Sequence, residues 1–494
     1  MCDNKLKSVK EQYVFNFDNT YAQLPEKFFA SASALTIPKP RLLKFNHEFA
    51  EQLGVQTLDS SDELASIFSG QTILKGSQPI ALAYAGHQFG HFVPKLGDGR
   101  AILLGEIVGR NKQRYDIQLK GAGRTPFSRG GDGRCPLGPA IREYIISEAM
   151  YALGVPTTRA LALVTTGDFV HRNSALPGAV FTRVASSHIR IGTFEYFALQ
   201  GDNEAVKILA DYAIDRHYPQ AKSDANPYLA FFKEVICAQT TLITKWMSLG
   251  FIHGVMNTDN TSISGETIDY GPCAFMDEFN FQQVFSSIDY HGRYSYSNQA
   301  AIILWNLSRL GDCLVPLVDS DSKKAITVLE EELSAAHNKI ESNFVMEIAA
   351  KIGIERPEMK DETLVTTWLQ YLQTQKYDYT LSFRELATLV STKSVNRFFE
   401  KTSQFNDFLD MWRIRIKEQT TDDTQEKMNN VNPVFIPRNH QVERAITQAI
   451  NNDFSVFEEL NQVLQNPYKE QSEFSLYKQA PQANEKITAT FCGT

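Results

Sequence analysis

The sequence has little cysteine and no long apolar run. Its 494 residues include six cysteines, none of them in a C-x-x-C pair, so neither a structural zinc nor a disulfide framework is expected. No apolar stretch approaches the roughly 20 residues that cross a bilayer, and the first residues lack the apolar core of a signal peptide. These features predict a bacterial-type cytoplasmic protein with no membrane partner.

Positive charge is not in excess either. The net charge of -8 argues against nonspecific binding to nucleic acid, so no nucleic-acid partner is expected. A hydrophobic content of 43% and a charged content of 21% are typical of a folded protein. A chain of 494 residues exceeds one ordinary core, which predicts two to four domains or lobes.

The predicted elements change in kind along the chain. Residues 1–85 are predicted to be an N-terminal extension, with an extended arm at 32–40 and a helix at 42–53. Residues 86–185 give two strands, a helix and two strands (101–108, 114–119, 139–153, 159–164 and 179–184). This order resembles the small nucleotide-binding lobe of a kinase-like protein. The sequence therefore predicts an α+β, bilobal, protein-kinase-like fold with a β-rich N-lobe.

The remainder of the chain is predicted to be mainly helical. Residues 186–400 form the predicted C-lobe, and residues 401–494 a C-terminal helical extension and tail. The polar segment 419–430 is predicted to be a linker, and 479–494 a polar tail. Helices are predicted at 203–217, 229–249, 299–310, 323–352, 362–373, 382–389, 403–417, 441–451 and 457–464.

Lys120 ends a predicted strand, and Glu143 lies 23 residues later in a predicted helix. Kinase-like folds use a helix glutamate to aim a strand lysine at phosphates. Glu148 lies on the same helix and is an alternative partner. The spacing alone also fits two unrelated surface charges.

A glycine-rich segment, 121–138, follows Lys120. Its six glycines let backbone N–H groups approach phosphate oxygens, and its three arginines add positive charge. It has neither the Walker A nor the Rossmann spacing. Arg183 and Arg190, seven residues apart after a strand, could both face one cleft, where their guanidinium groups would suit phosphate.

The segment 251–271 (FIHGVMNTDNTSISGETIDYG) carries the strongest chemical signal. Many kinase-like enzymes contain H-G-D-x-x-x-x-N followed by I-D, where the first Asp is the base and Asn and the second Asp bind metal. Here Asn260 and Asp269 match the metal positions, but Val255 occupies the position of the base. Valine cannot accept a proton, and a carboxylate stands instead at Asp259. Either the protein is an inactive kinase that only binds nucleotide, or the base has moved because the protein carries out different chemistry; a kinase that uses Asp259 as a displaced base is a third alternative.

Several long motifs in one order resemble selenoprotein O and its bacterial relatives, a family of protein nucleotidyltransferases with a pseudokinase fold. The resemblance runs through most of the chain. The motifs are FDNTYAQLP, YAGHQFGHFVPKLGDGRAILLGE, DIQLKGAGRTPFSRGGDGR, REYIISEAMYALGVPTTRALALV, HGVMNTDNTSISGETIDYGP and VNPVFIPRNHQVERAI.

The resemblance implies transfer of AMP from ATP to Ser, Thr or Tyr hydroxyls of proteins, with UMP transfer from UTP as an alternative. It implies a flipped ATP whose α-phosphate faces the acceptor, so that Val255 is no longer beside the reacting phosphorus. Asp259 would be the proton acceptor, and Asn260 and Asp269 would bind Mg²⁺ or Mn²⁺. The implied nucleotide-binding residues are Gly97, Gly99, Arg100, Lys120 (oriented by Glu143), Asp132, Gly133, Arg183, Arg190 and Asp269.

Family members from eukaryotes can carry selenocysteine near the C-terminus, where this chain has Cys492. We therefore expect a redox role for Cys492, through a reversible disulfide with Cys273 as the first candidate partner. The spacing of the two cysteines does not place them within bonding distance.

Overall fold

The computed structural model describes residues 15–55, 60–391, 398–418 and 423–491 of the chain. It is a mixed α/β structure in which the N-terminal region contains most of the strands and the C-terminal region is helical. Cys492 lies outside the described residues, so its predicted pairing with Cys273 stays a prediction.

An antiparallel sheet of eight strands dominates the N-terminal region. Its order is β1-β3-β6-β7-β10-β9-β2, and β8 pairs separately with β10. Strands β4 and β5 form a separate hairpin. The strands are β1 (Phe29–Ser31), β2 (Arg41–Phe45), β3 (Ile80–Leu82), β4 (Gly86–Gln88), β5 (His91–Val93), β6 (Ala101–Val108), β7 (Arg114–Lys120), β8 (Cys135–Pro136), β9 (Arg159–His171) and β10 (Ala175–Ala185).

Three helices accompany this sheet: α1 (His47–Gln52), α2 (Ser61–Phe68) and α3 (Leu137–Ala152). The predicted order of strand, strand, helix, strand, strand is confirmed by β6, β7, α3, β9 and β10. Strands β1, β2 and β3, from the segment predicted to be an extension, pair in the same sheet.

The predicted helix at 42–53 is wrong in its first half. Residues Arg41–Phe45 are strand β2, which pairs with β9. Helix α1 begins only at His47, because the side chain of Asn46 accepts a hydrogen bond from Phe49 N and caps it. Pairing with a neighbouring strand thus overrides the helical spacing of Leu42 and Leu43.

The C-terminal region contains eleven further helices in the described residues. Most predicted helices occur within a few residues of their expected bounds. The helices are α4 (Ile191–Ala198), α5 (Asn203–His217), α6 (Pro227–Ser248), α7 (Gln299–Val318), α8 (Ser322–Lys351), α9 (Glu362–Gln375), α10 (Tyr379–Thr388), α11 (Ser403–Lys417), α12 (Thr424–Val431), α13 (Asn439–Ile450) and α14 (Ser455–Leu464). Two short strands, β11 (Phe251–Ile252) and β12 (Ala274–Phe275), pair antiparallel and enclose the loop that carries the predicted metal ligands.

The predicted linker at 419–430 is wrong where the structure describes it, because Thr424–Val431 is helix α12. Its composition is polar, but Met428 is fully buried. The side chain of Asn432, just after the helix, donates to the carbonyl oxygens of Lys351 and Met428. Tertiary contacts therefore stabilise a helix that its own sequence does not favour.

The C-terminal helices return to the N-terminal region. Helices α13 and α14 pack against α3, and all three share one apolar core with β9 and β10. Beyond them, the tail pairs with the loop after β12, where Ser286 and Thr490 form a parallel bridge. The Thr490 hydroxyl also donates to the Pro272 carbonyl oxygen, so this part of the tail lies beside the segment that carries the predicted metal ligands.

One segment of the described chain, Tyr296–Val318, is long and apolar enough to cross a membrane by composition alone. Half of it is buried inside the protein, where Leu307, Leu310 and Leu314 pack in the largest apolar core. This burial is typical of a core helix.

Candidate active site

A cleft of about 660 Å³ lies where the main sheet meets the loop between β11 and β12. Its walls include seven Lys and Arg side chains and four Asp side chains, a balance that suits a polyanion. Eleven predicted site residues line it: Gly97, Gly99, Arg100, Lys120, Asp132, Gly133, Arg183, Arg190, Asp259, Asn260 and Asp269. Glu143, predicted to orient Lys120, lies behind the wall.

Lys120 joins two carboxylates from distant parts of the chain. Its Nζ donates to Glu143 Oε2 at 2.6 Å and to Asp269 Oδ1 at 2.7 Å. The alternative partner, Glu148, instead receives two hydrogen bonds from Arg159. Helix α3 thus places Glu143 beneath Lys120, whereas Glu148 pairs with Arg159.

Asp269 is the anion at the centre of three cations. Arg183 Nη1 lies 2.7 Å from its Oδ1, and Arg190 Nη2 lies 3.9 Å from its Oδ2. Burial acts to raise the pKa of the Asp269 carboxyl, but Arg183, Lys120 and Arg190 hold that pKa well below its usual range. Asp269 also has φ of 64°, a left-handed conformation that costs energy for a non-glycine residue.

The two arginines are held by side chains that the sequence did not single out. Gln118 Oε1 accepts from Arg183 Nη2 at 2.7 Å. Asp98 Oδ1 lies 3.4 Å from Arg190 Nη1, and the Tyr84 ring lies 4.3 Å beneath the Arg190 guanidinium carbon. Such contacts fix guanidinium groups in place before any phosphate binds.

The turn at Gly97 and Gly99 needs both glycines. Gly97 has φ of 65°, and a Cβ atom there would overlap the Phe127 ring. A Cβ atom on Gly99 would lie 2.9 Å from the Phe127 carbonyl oxygen. The turn therefore packs directly on the glycine-rich loop and brings Arg100 into the cleft.

Arg172, which no sequence motif indicates, anchors the glycine-rich loop. Arg172 donates to both carboxylate oxygens of Asp132, at 2.8 Å and 3.0 Å. Its hydrogen bonds lower the pKa of Asp132. Gly133 has φ of 69°, and a side chain there would overlap the backbone of Gly123. Asp132 lines the cleft, but its carboxylate holds the loop.

Asp259 lies in a 3-10 turn, Thr258–Asn260, and is nearly buried. Burial raises the pKa of its carboxyl to about 6, although Arg190 opposes the shift. Its Oδ1 is buried without a side-chain hydrogen-bond partner among the described residues, and Gln88 Nε2 lies 3.5 Å from its Oδ2. A carboxylate of this kind is suited to accept a proton near neutral pH.

Val255 and Asn260 complete this wall of the cleft. Asn260 Nδ2 donates to the Val255 carbonyl oxygen at 3.0 Å, which leaves Asn260 Oδ1 as its available metal donor. His253 is not part of the wall. It is fully buried, stacks on Trp246 and hydrogen-bonds the Ile268 carbonyl oxygen at 2.8 Å, so it joins the two ends of the loop.

The donor set of the loop fits a hard divalent cation. Asn260 and Asp269 offer one amide oxygen and one carboxylate, and Mg²⁺ is commonly held by few protein oxygens together with substrate phosphates. Within the described ranges, no group of three or more His, Cys, Asp or Glu side chains could hold a metal ion by itself. The residues therefore fit a cation that arrives with a nucleotide.

The profile of a family described as Protein adenylyltransferase SelO matches residues 11–465. The chain belongs to this family. It is 53% identical to a Rhizobium etli protein named Protein nucleotidyltransferase YdiU, over 97% of both chains. Proteins of the same name from Rhodopseudomonas palustris and Maridesulfovibrio salexigens are each 51% identical, over 97% of this chain and 99% of theirs. This member of the SelO family is therefore a nucleotidyltransferase.

Proposed function

We propose that this protein transfers AMP from ATP to Ser, Thr or Tyr hydroxyls of proteins and releases pyrophosphate. One observation carries the proposal. The Asp259 carboxylate lines the same cleft as Lys120, Arg183 and Arg190, whereas the side chain of Val255 has no group that accepts a proton. A base and a set of phosphate-binding cations are what nucleotidyl transfer requires.

In this proposal the cations bind the phosphates of ATP. Lys120, Arg183 and Arg190 exchange part of their contact with Asp269 for phosphate oxygens, and Arg100 adds charge to the same wall. Gly97, Gly99 and Gly133 let the backbone approach the nucleotide closely. The cations stabilise the negative charge that gathers on the departing pyrophosphate.

Asp259 accepts the proton of the acceptor hydroxyl. As the hydroxyl oxygen bonds to the α-phosphorus of ATP, the bond from that phosphorus to the bridging oxygen of pyrophosphate breaks. The products are an AMP–protein phosphodiester and pyrophosphate. Asn260 and Asp269 would hold Mg²⁺ or Mn²⁺, which would supply positive charge to the phosphates.

We also propose that the two regions of the structure are the lobes of a kinase-like fold. Residues 86–185 would be the N-lobe and 186–400 the C-lobe, with residues 1–85 and 401–494 added to them. The pairing of Lys120 with Glu143 across a strand and a helix supports this division.

Incubation of the purified protein with α-³²P-ATP and, in parallel, γ-³²P-ATP tests the activity. Self-labelling and labelling of a cell lysate from the α position only are expected. Label from the γ position only would indicate a kinase, and no label from either would indicate a nucleotide-binding module. A parallel incubation with α-³²P-UTP tests the alternative, because faster labelling from α-³²P-UTP than from α-³²P-ATP would indicate UMP transfer.

A further inference from the structure

The hairpin of β4 and β5 lies in the motif YAGHQFGHFVPKLGDGRAILLGE, of which only Gly97, Gly99 and Arg100 have a role in the scheme above. Its two-residue turn is Phe89 and Gly90, with φ of 52° and 84°, as in a type I′ turn. The hairpin is bonded to the turn that carries Asp259. His87 N donates to Thr258 Oγ1 at 2.8 Å, and Phe89 N donates to Asn257 Oδ1 at 3.1 Å.

Glu195, on α4, joins the hairpin and this turn from behind. Its Oε1 lies 2.5 Å from His87 Nδ1, and its Oε2 accepts a hydrogen bond from the Thr258 hydroxyl. The Thr258 hydroxyl already accepts from His87 N, so its single proton is directed to Glu195. The Glu195 side chain is 2% exposed, and a broken bond here would leave a buried polar group unpaired.

Asp259 is also confined by two glycines. A Cβ atom on Gly86 would overlap Asp259 Oδ1 and lie 2.9 Å from Asp259 Cβ and Cγ. A Cβ atom on Gly192, at the start of α4, would lie 3.3 Å from Asp259 Cα and would overlap the Ala85 carbonyl oxygen. The carboxylate therefore lies between the hairpin and α4, with Gln88 Nε2 beside its second oxygen.

We propose that Glu195, acting through Thr258 and His87, is a positioning residue that holds the Asp259 carboxylate at the acceptor hydroxyl, with Gly86 as the surface against which that carboxylate rests. The inference rests on the AMP transfer proposed above. A base must lie within hydrogen-bonding distance of the proton it removes, and a displacement of about 1 Å can slow a reaction about 100-fold. Glu195 itself does not line the cleft, so its effect passes through Thr258.

Substitutions of Thr258 test the hydrogen bond itself. Thr258→Val keeps the shape of the side chain and removes the hydroxyl, whereas Thr258→Ser keeps the hydroxyl. We expect Thr258→Val to slow self-labelling from saturating α-³²P-ATP about 10- to 100-fold, with the half-saturating ATP concentration within about threefold of wild type because the phosphate-binding cations are untouched. Thr258→Ser should restore most of the rate.

Thr244→Val is the matched control. The Thr244 hydroxyl is buried in α6 and donates to the Thr240 carbonyl oxygen at 2.7 Å, remote from the hairpin. This variant loses a buried hydroxyl in the same way, and its labelling rate should equal that of wild type. A loss of rate in Thr244→Val as large as in Thr258→Val would overturn the proposal.

Gly86→Ala tests the position of the carboxylate without changing any hydrogen-bonding group. The atoms nearest the added methyl all belong to Asp259, so the variant should displace that side chain and lower the labelling rate. Gly311→Ala, in α7, is its control, because the new methyl group meets Phe232 at 3.4 Å, an ordinary contact. Gly311→Ala should keep the wild-type rate. Circular dichroism melting of every variant checks that each is folded at the assay temperature.

The outcomes separate the two proposals. Wild-type protein without label from the α position overturns both the proposed activity and the positioning role. Wild-type labelling from the α position with an undiminished rate in Thr258→Val and Gly86→Ala overturns the positioning role alone. A lower rate in both variants, with Thr258→Ser, Thr244→Val and Gly311→Ala close to wild type, supports it.

Discussion

The ammonium of Lys120 lies 2.7 Å from Oδ1 of Asp269, although the two residues are 149 positions apart. Arg183 reaches the same oxygen at 2.7 Å. Asp269 thus offsets part of the positive charge that the proposed reaction needs for phosphate. The phosphates of a nucleotide must compete with the Asp269 carboxylate for Lys120 and Arg183, unless a metal ion binds that carboxylate.

Asp269→Asn is expected to separate nucleotide binding from transfer. Removal of the negative charge releases Lys120 and Arg183, so the affinity for ATP in EDTA should rise about tenfold. Transfer of label from α-³²P-ATP should fall at least about 100-fold, because one proposed metal ligand is lost. Isothermal titration calorimetry and the labelling assay measure the two effects.

An exposed aspartate provides the control for that variant. Asp211 forms a surface ion pair with Lys207, and Asp211→Asn should leave both ATP affinity and labelling unchanged. Full transfer activity in Asp269→Asn would contradict the proposed metal site, and weaker ATP binding in EDTA would contradict competition with phosphate.

Glu143→Gln should lower the rate of transfer about 10- to 100-fold while the protein remains folded. The amide removes the charge that holds Lys120 toward the cleft, so the ammonium is less well placed for phosphate. Labelling at saturating ATP measures the loss.

Glu148→Gln is the matched control on the same helix. Glu148 accepts two hydrogen bonds from Arg159, so this variant should melt at a lower temperature and yet transfer at the wild-type rate. Equal loss of transfer in the two variants would mean that helix α3 acts only through stability.

The contrast between these two glutamates shows how far the sequence predicts the site. Motif spacing places Lys120, Asn260, Asp259 and Asp269, because one loop and one strand end carry them. It leaves Glu143 and Glu148 open, since that choice depends on how α3 lies against the sheet. Gln118, which orients an arginine 65 residues away, follows only from the pairing of β7 with β10.

Amino-acid composition alone does not predict helix α12. Its polar residues predict a linker, but Met428 is buried and its Sδ lies close to Gly353. Met428→Ala should destabilise the protein by about 2 to 5 kcal/mol, measured by urea unfolding. Lys427→Ala, which removes the exposed ion pair to Glu355, should cost less than about 1 kcal/mol. Equal effects would show that α12 adds no core packing.

Because Lys351 is buried, we expect the free energy of unfolding to depend on pH in an unusual way. Its side chain is buried in α8, with Nζ 4.5 Å above the ring of Phe383. Burial lowers the pKa of Lys351 from 10.5 to about 7, with Lys245 adding to the shift and Glu347 opposing it. Between pH 7 and 10.5 the unfolded chain holds this proton and the folded chain does not, so the contribution of Lys351 to the free energy of unfolding rises with pH.

Lys351→Met should therefore stabilise the protein most at pH 7 and below, where the folded wild type must bury a charge. The advantage of the variant should shrink by up to about 1.4 kcal/mol for each pH unit above 7, because folded wild type then carries neutral lysine. Urea unfolding of both proteins at pH 6, 7, 8 and 9 measures this difference. Lys351→Arg, which stays charged at every one of these pH values, should be less stable than wild type by an amount that grows with pH. A constant difference between wild type and Lys351→Met across this range would show that Lys351 keeps its proton in the folded protein.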